Sequence, residues 1–180
     1  FPLVRSRYFS HAWVAGPYQY EFAKNLGFNN SQIIFNCLSA DLAIFNNSYY
    51  KSIDGKSKRY PHRFLYVGRF ESIKGVDLLV DAWNNISVQK MDWDLCIIGN
   101  GSLGDALANH TGIIVKDFMQ PAHLVDEIEK CGCFILPSRK DQWGLVLHEF
   151  AAAGLPIICS DTCGAAPVFI IPKFNGYMFT

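Results

Sequence analysis

The sequence predicts an α/β protein built on a doubly wound, Rossmann-like parallel sheet. Two observations lead to this class: short, continuously apolar runs recur through the later two-thirds of the chain, and segments with helical spacing of apolar residues separate them. A strand that is apolar without alternation is covered on both faces, as in a parallel sheet. The predicted strands are Phe64–Gly68, Asp94–Gly99, Gly112–Lys116, Cys133–Pro137 and Pro156–Ser160.

Helices are predicted between these strands. After the first strand, apolar residues recur at helical spacing at Val76, Leu79, Val80, Trp83 and Ile86. A second helix starts at Pro121, because proline suits the first turn of a helix. A third helix contains Glu149 and is terminated by Gly154. Strands that alternate with helices in this way form parallel βαβ units.

The first 45 residues form a separate predicted unit. In it, the strands Ala12–Gly16 and Gln32–Asn36 flank a helix, Pro17–Leu26, that Gly27 stops. The polar, cationic stretch Lys51–Pro61 is typical of a linker. We therefore predict a small unit over residues 1–45, an interdomain linker over 46–63 and a larger domain over 64–180.

The residues at both ends of the sequence indicate truncation. The chain begins Phe1-Pro2-Leu3 without Met, and it stops just after the strand-like Tyr177-Met178-Phe179. We expect a fragment whose larger domain is truncated at its C-terminus.

Composition disfavours several classes of protein. Sixteen Lys and Arg balance 16 Asp and Glu, so no global field attracts nucleic acid or anionic lipid. No apolar run reaches the roughly 18 residues of a membrane span, and no leader pattern is present. Six cysteines occur, three of them within apolar runs and none in paired C-x2-C spacing. This usage indicates a reducing, cytoplasmic compartment rather than a zinc site.

The first candidate binding segment follows the first strand of the larger domain. Ligands of open α/β sheets bind beyond the carboxyl ends of the strands, where helix N-termini point N–H groups at anions. The turn there carries Gly68, Arg69, Lys74 and Gly75. Glycine lets a phosphate approach the backbone, and the two cations can neutralise a diphosphate. The alternative is a solvated turn with ordinary surface charges.

The second candidate segment follows the fourth strand. Asp141 lies in the loop, Glu149 lies more than one turn inside the next helix, and the N–H groups of Trp143, Gly144 and Leu145 lie at the positive end of that helix. Carboxylates accept hydrogen bonds from sugar hydroxyls, while N–H groups hold phosphate. Alternatively, Asp141 only caps the helix and Glu149 faces water.

The third candidate segment is the glycine loop Gly99-Asn100-Gly101-Ser102-Leu103-Gly104. It has the G-x-G-x-x-G spacing of NAD-binding domains, and Asp117 ends the next strand. That fingerprint belongs to the first βα turn of its domain, whereas here a complete βα unit with its own cations precedes it. NAD binding is therefore kept only as an alternative.

A metal-binding motif is mimicked by Asp92-Trp93-Asp94. This D-x-D spacing holds a metal against a diphosphate in some transferases. Here the motif precedes a strand, so it lies at the opposite edge of the sheet from the candidate segments. We expect no metal site.

Taken together, the motifs resemble the C-terminal, donor-binding domain of family 4 retaining glycosyltransferases (glycosyl transferases group 1), which have the two-domain GT-B fold. The resemblance covers about two-thirds of the chain and is specific as a set. Its motifs are Gly68-Arg69-Phe70 with Lys74-Gly75, Gly99–Gly101, Leu136-Pro137-Ser138, the acid-x7-acid pair that ends in Glu149, Ala152–Pro156 and Asn175-Gly176. Weaker similarity places Arg5–Phe45 at the end of the family's N-terminal, acceptor-binding domain. The family usually has Glu where Asp141 stands and commonly an acid where Val168 stands.

The resemblance implies a role for each candidate residue. Arg69 and Lys74 would contact the donor diphosphate, Glu149 the ribose of the nucleotide, and Asp141 the donor sugar. The other residues implied to contact the donor are Gly68, Gly99, Asn100, Gly101, Phe118, Trp143, Gly144 and Leu145.

The reaction that the resemblance implies is metal-independent transfer of a sugar, with retention of configuration, from a nucleoside-diphosphate sugar that serves as co-substrate without a further cofactor. Cations and helix N–H groups would stabilise the departing diphosphate. The acceptor, such as a growing glycan or lipid-linked glycan, would bind the missing part of the N-terminal domain. The family context is polysaccharide biosynthesis, cytoplasmic or at the inner face of the membrane through peripheral association. We expect the fragment alone to bind the donor without turnover. A non-catalytic nucleotide-binding module and an NAD-binding Rossmann domain are the alternatives.

Overall fold

The computed structural model describes residues 8–86 and 92–180. Residues 1–7, which include the start Phe1-Pro2-Leu3 and Arg5, lie outside the described residues. The strands are β1 Ala12–Trp13, β2 Ile33–Ile34, β3 Arg63–Val67, β4 Asp94–Ile98, β5 Ile113–Lys116, β6 Cys133–Leu136, β7 Ile157–Ser160 and β8 Gly176–Phe179. The α-helices are α1 Pro17–Asn25, α2 Ala43–Lys58, α3 Val76–Asn85, α4 Gly104–Leu107, α5 Pro121–Ile128, α6 Val146–Ala152 and α7 Ala166–Phe169.

The main sheet has six parallel strands in the order β5-β4-β3-β6-β7-β8. Counted within the sheet this is the order 3-2-1-4-5-6 of doubly wound dinucleotide-binding folds, so the predicted fold class is confirmed. The order reverses between β3 and β6. Ligands of such sheets bind in the crevice outside the carboxyl ends of the two strands at this point.

Helices cover both faces of the sheet, which explains why its strands are apolar without alternation. On one face, Leu65 of β3 and Phe134 of β6 pack with residues of α5 and α6. On the other face, Tyr66 of β3 packs with Val80 and Trp83 of α3. Neighbouring residues of one strand thus belong to different cores. The predicted strands each extend one residue beyond the observed ones, at positions such as Gly68 where the chain leaves the sheet.

The N-terminal unit has the predicted strand–helix–strand order. Its strands are shorter than predicted, with two residues each, and pair in parallel. Helix α1 begins at Pro17 and has Leu26 as its C-cap, as predicted. A small core of Val14, Ala23, Phe28 and Ile33 joins the helix to the strand pair.

The segment 46–63, predicted as an interdomain linker, is helical as far as Lys58. Helix α2 buries Phe45 in the core of the main sheet, where its ring meets that of Phe150. The Lys56 ammonium group donates to the carbonyl oxygens of Ile128 and Cys131 at 3.1 and 3.0 Å. A lysine of this cationic stretch therefore satisfies carbonyl groups at the neighbouring helix end. The division into domains near residue 45 stays a prediction.

Candidate functional site

The candidate site is the crevice at the carboxyl ends of β3 and β6, and it has two halves. The larger half, of about 410 Å³, is lined among others by Gly68, Lys74, Asp141, Trp143, Gly144 and Leu145. The smaller half, of about 300 Å³, is lined among others by Gly68, Arg69, Gly99, Asn100, Phe118 and Glu149. Gly68 lies where the two halves meet. The fold thus brings the three predicted binding segments into one crevice.

The two cations of the turn after β3 differ in their surroundings. Arg69 is exposed, and its guanidinium group has no hydrogen-bond or ion-pair partner among the described residues. Lys74 is largely covered, with 22% of its side chain exposed. The buried hydroxyl of Tyr66 donates to the Arg69 carbonyl oxygen at 2.9 Å and so fixes the backbone of the turn. Burial raises the pKa of Tyr66, which keeps this hydroxyl a donor.

Lys74 forms an ion pair with Asp141, with 2.6 Å between the ammonium nitrogen and the carboxylate Oδ2. Only 11% of the Asp141 side chain is exposed. Its other oxygen, Oδ1, accepts the backbone N–H of Trp143 at 3.4 Å. Sequence reasoning assigned Lys74 and Asp141 to different parts of a ligand. In the structure they contact each other, and the Trp143 N–H is already directed at a carboxylate.

The glycine loop packs against the turn after β3. A Cβ atom on Gly99, whose φ is +152°, would overlap the carbonyl oxygen of Gly68. Glu71 links the same two segments, since its carboxylate accepts the N–H and the hydroxyl of Ser102 at 3.0 and 2.7 Å. Gly101 packs against the Phe70 backbone and lines neither half of the crevice. The glycine spacing thus serves contact between two loops, which gives a reason for it independent of NAD.

Helix α6 begins beside the larger half of the crevice. Gly144 has a φ of +84°, and a Cβ there would lie 2.6 Å from the sulfur of Cys163, so glycine is required. The backbone N–H groups of Gly144 and Leu145 donate to no acceptor in the described part of the chain. Unpaired N–H groups at the start of a helix carry partial positive charge and favour an anion.

Glu149 is the fourth residue of α6 and belongs to its first turn, which corrects the prediction that it lies more than one turn inside. It is half-buried, and its carboxylate has no hydrogen-bond or ion-pair partner within residues 8–86 and 92–180. Burial raises the pKa of this carboxyl group. Glu149 therefore lines the crevice as an unsatisfied acceptor rather than facing bulk water.

The residues of the D-x-D motif lie at the opposite edge of the sheet, as predicted. Both oxygens of Asp94 accept from the Arg63 guanidinium group, at 2.5 and 2.6 Å. Asp92 pairs with His62 at 2.6 Å. Over the part of the chain that the structure describes, no three His, Cys, Asp or Glu side chains form a group that could hold a metal. The six cysteines are free thiols.

Three residues near the crevice were not predicted from the sequence. Tyr66 supports the turn after β3, Leu38 of the N-terminal unit lines the larger half, and His148 contacts the Trp143 side chain. None belongs to a motif. A polar side chain on a predicted buried strand or helix face, such as Tyr66 or His148, is the signal that could have pointed to two of them.

The fold and the crevice together define a domain of the GT-B glycosyltransferase kind. The chain belongs to the family Glycosyl transferases group 1, since the sequence model of that family matches residues 61–180. It is 30% identical over 123 residues to an uncharacterized glycosyltransferase of Methanocaldococcus jannaschii, a match that covers 63% of this chain and 32% of that protein.

Solved structures have the same fold over nearly the whole chain. The lipopolysaccharide outer core galactosyltransferase WaaB, in its apo form, superposes with a TM-score of 0.72 at 23% identity, over 95% of this chain and 48% of that one. Anabaena HepE, in complex with UDP and glucose, gives a TM-score of 0.70 at 15% identity, over 97% and 50%. The chain therefore spans about half the length of these structures and about a third of the archaeal relative. None of the helices in the described ranges is long and apolar enough to cross a bilayer.

Proposed function

We propose that this chain is the donor-binding part of a retaining, metal-independent glycosyltransferase of family 4 type. Its donor would be a nucleoside-diphosphate sugar and its acceptor a glycan. The observation that carries the proposal is the set of unsatisfied groups at the switch point of the sheet. Within the described residues, the Arg69 guanidinium group and the N–H groups of Gly144 and Leu145 have no acceptor, so they can bind an anion. The Glu149 carboxylate has no donor, so it can accept hydrogen bonds from a ligand.

These groups match the parts of a nucleotide sugar in order along the crevice. Glu149 and Phe118 line the smaller half, where a carboxylate can accept both ribose hydroxyls and an exposed aromatic ring can stack on a base. Gly68, between the halves, is a place where phosphates can approach the backbone. Lys74 and Asp141 in the larger half are then next to the sugar end.

The charge that develops in the reaction is on the departing nucleoside diphosphate. Arg69, Lys74 and the free N–H groups of α6 supply fixed positive charge to stabilise it, which is the role a metal has in other transferases. The Lys74–Asp141 ion pair is compatible with this role, because Lys74 has three donors and uses one of them on Asp141. The UDP and glucose bound in the Anabaena structure support a nucleotide-sugar donor and make UDP the first probe.

The acceptor and the location of the protein follow from the family resemblance. A glycan or lipid-linked glycan would bind the N-terminal half, at the inner face of the membrane if the intact protein associates with it peripherally. The free cysteines support the cytoplasmic location that we propose.

Binding is tested by calorimetry with UDP, GDP, ADP and NAD on the 180-residue chain. We expect one of the nucleoside diphosphates to bind and NAD not to bind. Transfer is tested on the full-length protein with radiolabelled nucleotide sugars in the presence of EDTA, and the product anomer is assigned by NMR. Binding of NAD alone would overturn the proposal. Binding without transfer in the full-length protein would identify a nucleotide-binding module.

A further inference from the structure

The Trp143 indole forms a hydrogen bond with a buried side chain. Its Nε1–H donates to the Nε2 atom of His148 at 2.7 Å. Only 6% of Trp143 and 7% of His148 are exposed. Because Nε2 accepts, the His148 ring is neutral, with its proton on Nδ1. Burial lowers the pKa of His148, which favours this neutral form.

The indole is also confined from its other side. A Cβ atom placed on Gly16, in the N-terminal unit, would lie 2.5 Å from the Cζ3 atom of Trp143 and 3.5 Å from a methyl group of Val168. The ring therefore fills the space between the N-terminal unit and α7. The hydrogen bond to His148 selects its position within that space.

The backbone of Trp143 is fixed at the same time. Its carbonyl oxygen accepts the N–H of Ala165 at 2.9 Å and the thiol of Cys163 at 3.0 Å. The next two residues, Gly144 and Leu145, present the free N–H groups of the crevice. Side chain and carbonyl of Trp143 thus define the peptide planes from which these N–H groups project.

We propose that His148 is a positioning residue of the donor site: it holds the Trp143 indole, and the indole holds the Gly144 and Leu145 N–H groups in place for a diphosphate. The proposal rests on the proposed function, since it assumes that this loop binds the phosphates of the donor. His148 itself contacts no phosphate.

The test measures the affinity of the 180-residue chain for UDP and for uridine by calorimetry. His148→Leu removes the acceptor. The hydrogen bond does not touch the ligand, so its loss acts on affinity only through the position of the Gly144 and Leu145 N–H groups, which we expect to cost about tenfold. We expect UDP to bind about tenfold more weakly and uridine to bind as before. His148→Gln, whose amide oxygen can reach the indole, should restore most of the affinity for UDP. His123→Leu, on the exposed face of α5, is the matched control and should bind both ligands like the wild type.

Trp143→Phe removes the same hydrogen bond from its other end and keeps an aromatic ring. It should weaken UDP binding by as much as His148→Leu does. The double variant should lose no more affinity for UDP than either single variant. If His148→Leu does not fold, Trp143→Phe decides the question by its ratio of UDP to uridine affinity. Equal losses for both ligands, or no loss, would make His148 a core residue only and overturn the proposal. If the wild type bound no nucleoside diphosphate at all, the proposed function itself would fail.

Discussion

Glu149→Gln should stabilise the ligand-free protein at neutral pH while it weakens donor binding. The carboxyl group is half-buried with no partner in the part of the chain that the structure describes, and burial raises its pKa. A raised folded-state pKa means that the folded state binds more protons than the unfolded state between the two pKa values. The stability that this group contributes is complete below the unfolded pKa of about 4.3 and is lost as the pH rises through the folded pKa. Glutamine has no charge to bury.

The effect on binding has the opposite sign. A charge-assisted hydrogen bond from a ribose hydroxyl to the Glu149 carboxylate contributes roughly 1.5–3 kcal/mol. Its loss corresponds to about a tenfold to hundredfold weaker affinity. Calorimetry should show this loss for UDP, whereas 2′,3′-dideoxy-UDP, which lacks the hydroxyls, should bind wild type and variant almost equally.

The stability half is measured by urea unfolding between pH 4 and pH 8. The free energy of unfolding of the variant should exceed that of the wild type at pH 7, and the difference should shrink toward pH 4. Glu21→Gln, at an exposed position of α1, controls for the change of charge. Equal affinity losses for ribose and dideoxy ligands would remove Glu149 from the ribose site. A variant less stable than the wild type at pH 7 would refute the reasoning from burial.

The other predictions concern the cations, the N-terminal contact and the metal. Arg69→Ala and Lys74→Ala should each lower the affinity for every nucleoside diphosphate about tenfold or more and leave the affinity for the bare nucleoside unchanged. Only Lys74→Ala should also lower the melting temperature, because it leaves the Asp141 carboxylate unpaired. Gly16→Ala should lower the affinity for UDP severalfold, since the new Cβ displaces the Trp143 indole. EDTA should leave the affinity of freshly purified protein for UDP unchanged in calorimetry.

The substitutions among these predictions have matched controls. Gly55→Ala, with open space around the new Cβ within α2, should keep wild-type affinity for UDP and stabilise the helix by roughly 0.5–1 kcal/mol. Lys51→Ala serves as the control for the two cations, because Lys51 is an exposed lysine of α2 that does not line the crevice. Equal melting temperatures of the Lys74 and Arg69 variants would argue against the ion pair. Loss of UDP affinity in EDTA would refute the metal-free site.

Sequence patterns predicted the sheet well because each strand is indicated by residues that are neighbours in the chain. Continuous apolar runs marked each strand, and Pro17 and Pro121 marked helix starts, since these depend on neighbouring residues only. The strand-edge position of Asp92 was predictable for the same reason. The helix α2 was missed because its polar composition is typical of a loop, while the contact that stabilises it, Phe45 with Phe150, joins segments far apart in the chain.

The site was predictable by its position and less so by its contacts. The order of strands and turns sufficed to place Arg69, Gly99 and Glu149 at one edge of the sheet. The pairing of Lys74 with Asp141 depends on the distance between two loops, which no periodicity encodes. The same holds for the hydrogen bond between Trp143 and His148, whose sequence separation of five is not a regular helical contact.

The two edges of the sheet differ in how their charges are satisfied, and this difference bears on function. At the amino edge, Arg63 and Asp94 form a bidentate pair, and His62 lies within hydrogen-bond distance of Asp92. At the carboxyl edge, Arg69 and the half-buried Glu149 have no side-chain partner among residues 8–86 and 92–180, and burying the Glu149 charge unpaired destabilises the folded state. The amino edge shows that this fold can pair such charges within the protein. Both an unpaired cation and an unpaired hydroxyl acceptor along one crevice are satisfied together only by a ligand that carries an anionic group and hydroxyl groups.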